Sequence, residues 1–116
     1  MIRKKSQMRT EEREKMRGGP GKVAIRHLFS AEEIRAKTRL CATLIIPPQS
    51  GIGLHQHSGE DELFVILAGS GLLDDGTSKT TVTAGDAILT GNDESHSIFN
   101  NGSTDLEILA VIMTYA

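Results

Sequence analysis

From residue 38 to the end, the chain is a succession of short apolar, β-branched runs broken by Gly, Pro, Asn and Asp at intervals of roughly 8–12 residues, the pattern of a sandwich or barrel of strands. Residues 38–46 form the first run, and Pro47-Pro48 stops it, because proline cannot donate to a sheet ladder. Residues 61–68 carry Phe64-Val65-Ile66, and residues 106–114 make a long final run. Shorter runs lie at 54–57, 72–73, 79–83, 87–89 and 96–99, the one at 87–89 being read as a buried strand. Asp74-Asp75-Gly76 is a hairpin signal, and Gly51 and Gly53 are expected to flank a turn. About eight or nine strands are predicted, so the fold class is all-β.

Upstream the character differs. Val23, Ile25 and His27 alternate as a strand, and Ser30 with Glu33 reads as a helix cap followed by one helical turn through Ile34 to Ala36. Residues 1–17 are charged and are expected to form a short helix or an arm, ended by Gly18-Gly19-Pro20-Gly21. Residues 1–22 carry eight Lys/Arg against three Glu (+5), and residues 23–116 carry five against twelve Asp/Glu (−7). The expected division is a basic N-terminal arm over 1–22 and a β-barrel domain over 23–116. Charge complementarity then lets the arm pack on its own body or on a neighbour's. Arg17-Gly18-Gly19 is a single RGG-like element without interleaved aromatics, so no nucleic-acid partner is expected.

A length of 116 residues suits one domain with a modest core, and with three Phe, one Tyr and no Trp that core is aliphatic. The lone Cys41 forms no intrachain disulfide, which fits a reducing cytoplasm. Apolar runs fall far short of the ~18 residues of a membrane span, and the basic N-terminus lacks the apolar stretch of a secretory signal. A homodimer is expected, paired through an apolar sheet such as the one containing residues 106–113.

Chemistry concentrates in four residues. His55 and His57 are two apart and share one face of a strand. Glu62 shares a face with Phe64 and Ile66, and His96 with Ile98 and Asn100, so all four groups can point inward among apolar neighbours. Inward polar groups require partners, since burial without them costs several kcal/mol, and one divalent cation supplies them together. His27 matches no such spacing and reads as structural or surface. Arg39, with Arg26, could clamp an anionic substrate. Cys41 reads as an inert thiol and Asp93-Glu94 as a solvated loop.

These spacings resemble the cupin family. Its first motif is HxH, three or four residues, Glu, six residues and Gly; here it is His55-Gln56-His57, four residues, Glu62, six residues and Gly69. Its second motif has Gly, then His, then Asn four residues on; here these are Gly85, His96 and Asn100. Two turn positions depart: Gln49 stands where the first motif begins with Gly, and Gly91-Asn92-Asp93 where the second has Pro-x-Gly. The resemblance implies a double-stranded β-helix, or jelly-roll barrel, with a metal near one mouth. Three imidazoles and a carboxylate suit Mn or Fe best, with Ni, Co, Cu or Zn as alternatives, and leave positions open for a substrate or dioxygen. The similarity points to the oxalate decarboxylase-like branch: a metal-dependent decarboxylase or dioxygenase acting on a small, oxygen-rich, anionic acid. Against true oxalate decarboxylases, Ile52 stands where they carry Arg, and one cupin unit stands where they have two. The alternatives are a non-catalytic small-molecule or metal-binding module and a sugar isomerase or epimerase on the same barrel.

Overall fold

β-Branched and aromatic side chains fill a pleated, half-buried surface well, and the runs rich in them become strands. A computed structural model describes residues 1–116. It contains ten strands: β1 (Thr10–Glu14), β2 (Lys22–His27), β3 (Thr38–Ile46), β4 (Gly51–Gln56), β5 (Glu60–Ala68), β6 (Ser70–Asp74), β7 (Lys79–Thr83), β8 (Ala87–Thr90), β9 (Ser95–Phe99) and β10 (Leu106–Thr114). They form a six-stranded sheet, β1-β2-β3-β10-β5-β8, and a four-stranded sheet, β4-β9-β6-β7. Every pairing is antiparallel. No helix is long and apolar enough to cross a membrane.

The core follows the period of two. On β10, Leu106, Ile108, Ala110 and Ile112 are buried while their alternates are not. Ala110 stands opposite Ala42 of β3 on one side and Phe64 of β5 on the other. Val23, Ile25, Leu44, Ile46 and Ile66 complete the layer from the larger sheet, and Ile52, Val82 and Ile98 meet it from the smaller one. Each fully buried Ile or Leu is worth about 1.5–3 kcal/mol, so the aliphatic core carries the fold. Asn100 is also fully buried: its Nδ2 donates to the carbonyls of Ile46 (2.8 Å) and Thr104 (2.9 Å), and its Oδ1 accepts from the Gly102 amide (2.9 Å).

Four local expectations are corrected. Residues 10–14 are a strand rather than part of a helix, because β2 offers an edge for pairing while an isolated charged helix is marginal. Gly51 and Gly53 lie inside β4, and the register shift between Ile52 and His55 marks a β-bulge. The turn after Ser30 closes through a Glu33 amide–Ser30 Oγ bond (3.2 Å) and a Ser30 amide–Glu33 carboxylate bond (2.8 Å), but no helical turn runs on through Ala36. Strand β8 is an exposed edge with β5 its only neighbour, and Leu89 is 64% exposed.

The two departures from the glycine-bearing turns resolve in the backbone. Gln49 has φ +64°, and Asn92 and Asp93 have φ +53° and +65°. All three are left-handed, the conformation that favours glycine. Asn92 and Asp93 are the residue types that tolerate this conformation best after glycine, whereas Gln49 is strained in it.

Candidate metal centre

Four side chains from three strands and one strand end converge between the sheets. β4 contributes His55, the residue after its end is His57, β5 contributes Glu62 and β9 contributes His96. His55 stands directly opposite His96 across the β4–β9 ladder. One ligand atom from each of the four lies within 4.8 Å of the others. His57, His96 and Glu62 are buried and His55 is half-buried, so the cluster opens on the His55 side.

The donor spacing tests whether an ion fits. His57 Nε2 lies 3.1 Å from His55 Nε2 and 3.0 Å from His96 Nε2. Glu62 Oε1 is 3.0 Å from both His57 Nε2 and His96 Nε2. At metal–donor distances of about 2.1 Å, neighbouring donors stand about 3.0 Å apart in an octahedron and about 3.4 Å apart in a tetrahedron. The spacing matches the octahedron, so the residues present fit a divalent ion with positions to spare.

Each imidazole is fixed through its other nitrogen. His55 Nδ1 donates to the Gly53 carbonyl at 2.7 Å. His57 Nδ1 donates to Glu60 Oε2 at 2.5 Å. His96 Nδ1 is 2.9 Å from the hydroxyl of buried Thr90 and donates to it when Nε2 holds an ion. A carbonyl and a carboxylate only accept, so His55 and His57 carry their proton on Nδ1 and present a lone pair at Nε2. Glu60 is a reliable acceptor: the Arg39 guanidinium beside it, and His57 after that, hold its carboxyl down at about 2. Burial pushes the His55 imidazole below its ordinary value, which keeps it neutral and ligand-ready. Phe64 stacks on the His96 ring at 4.9 Å between centroids, locking that ring from the core side.

Above the cluster lies a cavity of about 230 Å³. Its lining is mixed: Ile25, Leu40, Leu44, Ile52 and Ile112 supply apolar surface, and Met16, Arg13 and Arg17 border it from the N-terminal segment. That segment packs backbone to backbone on β4. A Cβ on Gly53 would collide with the Arg17 carbonyl oxygen, and one on Gly19 with the Gly51 carbonyl oxygen. Lys15 and Arg17 are left-handed at φ +49° and +53°, a conformation that costs an L-residue roughly 1–2 kcal/mol. His27, read as structural or surface, also lines the cavity, with its Nε2 3.2 Å from Glu11 Oε1. Arg39 lines it too, but its Nε and Nη2 hold the two oxygens of Glu60 at 2.7 and 2.8 Å.

The four ligand candidates are therefore brought together as the spacing predicts. The sequence reading missed Glu60, as well as Thr90 and the N-terminal cover. A carboxylate three residues after His57 was the available signal for the first; the others depend on strand pairing. Asp93-Glu94 is less free than a solvated loop, since the His57 amide donates to the Glu94 carbonyl (2.9 Å) and the Asp93 amide to the His57 carbonyl (3.0 Å).

A jelly-roll sandwich with a buried three-histidine, one-glutamate cluster at its mouth defines the class: a β-barrel protein able to hold a metal ion. Residues 42–112 match the family described as the cupin domain, and the chain belongs to that family. It is 45% identical, over 113 residues, to the oxalate-binding protein of Thermotoga maritima, covering 97% of this chain and 93% of that one. A crystal structure of a predicted oxalate decarboxylase from Thermotoga maritima superposes with a TM-score of 0.94 at 45% identity, over 98% of this chain and 99% of the other. An uncharacterized protein of Methanocaldococcus jannaschii is 33% identical over 85 residues, covering 73% of this chain and 68% of that one.

Proposed function

We propose that the protein binds a divalent transition metal, Mn or Fe, through His55, His57, Glu62 and His96. On this reading it takes up a small, oxygen-rich carboxylic acid at the metal and converts it by decarboxylase- or dioxygenase-type chemistry. The observation that carries this is the 3.0–3.1 Å donor spacing, which leaves open positions on the His55 side, where the cavity lies. The Thermotoga relative, an oxalate-binding protein, supports a small anion as the ligand class. Bound there, the metal would supply Lewis-acid stabilisation of negative charge on the acid. The chain's own residues orient the site: Gly53, Glu60 and Thr90 fix the three rings, and Ile25, Leu40, Leu44, Ile52 and Ile112 give the cavity an apolar side.

The test is reconstitution with Mn or Fe, metal analysis after desalting, and calorimetric titration with oxalate and small dicarboxylates, alongside CO₂ release and O₂ uptake. Retention of about one ion per chain, lost in His96→Ala, and ion-dependent acid binding with turnover are expected. Protein that retains no divalent ion refutes the reading. Ion-dependent binding without turnover leaves a binding module in place of an enzyme.

The homodimer belongs to the same reading. The outer face of the larger sheet carries Leu63, Val65, Leu67, Leu109, Val111 and Met113, and Leu67 is 50% exposed. Light scattering is expected to give a dimer for the wild type and a monomer for Leu67→Glu. A wild-type monomer at micromolar concentration refutes it.

A further inference from the structure

Three arginines are among the residues that line the cavity, and they are not equivalent. Arg39 is held by both oxygens of Glu60, the carboxylate that fixes His57, so drawing Arg39 toward a ligand would loosen a candidate metal ligand. Arg13 is engaged by Glu11 at 3.3 Å. Arg17 alone has no carboxylate and no hydrogen-bond acceptor. Its backbone is nevertheless the most constrained of the three. It is left-handed at φ +53°, between left-handed Lys15 and Gly18, and its carbonyl sits where only a glycine at 53 leaves room. The left-handed turn seats this backbone against β4 and leaves the charged head without a partner, and strained backbone of this kind recurs at ligand clamps. The Gly53 carbonyl in turn fixes His55, so one residue of β4 sets both the Arg17 backbone and a metal-facing imidazole.

We infer that Arg17 is the specificity-determining residue for the anionic ligand. It receives the carboxylate that points away from the metal cluster. The ligand class is a small dicarboxylate, or an acid with a second anionic group, in preference to a monocarboxylate. This rests on the reading that a small acid binds at the metal. It moves to Arg17 the clamp that the sequence suggested for Arg39, and it makes the N-terminal segment part of the site.

The experiment compares metal-loaded wild type, Arg17→Gln and Arg17→Gly by calorimetry with oxalate, succinate and acetate, together with metal affinity by chelator competition. Glycine suits a left-handed position, so Arg17→Gly removes the cation while relaxing the backbone and separates lost recognition from lost folding. Loss of a charge-assisted contact is expected to weaken dicarboxylate binding about tenfold or more in both variants. Acetate binding and metal affinity should stay within about twofold, so that the preference for dicarboxylates disappears. Wild type that prefers dicarboxylates, with variants that bind them within twofold of it, overturns the role of Arg17 and leaves the anion-binding reading standing. Metal-loaded wild type that binds none of the three acids overturns both.

Discussion

Thr90→Val is the sharpest probe of how the barrel prepares its candidate metal centre. The substitution is nearly isosteric, leaves all four candidate ligands in place and removes one hydroxyl. That hydroxyl lies 2.9 Å from His96 Nδ1, and Thr90 is 5% exposed, so water cannot replace it readily. Without metal, the His96 ring can adjust, since its Nε2 has Glu62 3.0 Å away as an alternative partner. With metal held at Nε2, Nδ1–H is left unpaired in the interior. Loss of such an outer partner typically lowers metal affinity 10–100-fold. At a metal concentration 1,000 times the wild-type Kd, binding stabilises the native state by about 4.1 kcal/mol; for the variant at the same concentration the figure falls to about 1.4–2.7 kcal/mol. At roughly 4 °C per kcal/mol for a chain of this size, metal should raise the wild-type melting temperature by about 16 °C and the variant's by about 6–11 °C. Scanning calorimetry with and without metal, with Kd from chelator competition, measures both quantities. An equal metal-induced rise in the two proteins would refute the claim that Thr90 orients His96.

Other substitutions test the frame around the site. Asn100→Ala deletes three hydrogen bonds of a fully buried side chain and is expected to lower unfolding free energy by about 3 kcal/mol at ~1 kcal/mol each; a loss under about 1 kcal/mol in urea titration contradicts that. Gln49→Gly, at φ +64°, should stabilise by about 0.5–1 kcal/mol, since relief of left-handed strain exceeds the added chain entropy of glycine; destabilisation in the same assay argues against strain there. Gly53→Ala forces a methyl against the Arg17 carbonyl and should lift the N-terminal cover, seen as faster tryptic cleavage after Lys15 and Arg17, with no change in cleavage rate as the contrary result. Asp75 accepts the amides of Ser78 and Thr77 in the β6–β7 hairpin, which lowers its carboxyl from 3.8 to about 2. Its contribution to stability is therefore complete above pH ~4 and fades as the pH falls through about 2, so wild type should lose stability over that window and Asp75→Asn should lack that part of the loss.

What the sequence made legible is what alternation controls. Glu62, Phe64 and Ile66 share the inner face of β5, and His96 and Ile98 that of β9, with Asn100 continuing inward just past its end, because side chains alternate strictly wherever the ladder is regular. β4 tests the limit of this rule. It contains a bulge, but the bulge lies before His55, so the two-residue spacing to His57 survives and the imidazoles still converge. Local composition fails for β8, whose side chains alternate with Ala87 and Leu89 outward, because position at a sheet edge is set by topology. It also fails for residues 10–14, whose alternating charges suit a helix as well as a strand until β2 offers a partner. Left-handed Gln49, Asn92 and Asp93 were invisible for a related reason: their conformations are imposed by the chain ends they join.

The site divides into two parts with different physical requirements. The candidate ligand cluster needs geometry accurate to a few tenths of an ångström to hold an ion, and it is built on paired strands with every ring locked by a second contact. The cover needs only to present charge and shape at the cavity mouth, and it is built from a polar segment with glycines at its contacts with the barrel. Gly53 joins the two, since its missing side chain seats Arg17 and its carbonyl orients His55. Ligand entry that displaces the cover would therefore act on one metal-facing imidazole through a single peptide unit. Glu60 makes the equivalent link on the other side, holding Arg39 at the cavity wall and His57 in the cluster. Two of the three imidazoles are thus tied to groups a ligand can reach, whereas His96, backed by Thr90 and Phe64, is tied to the core alone. Substitutions in the cover should consequently perturb the surroundings of His55 and His57 and leave His96 unchanged.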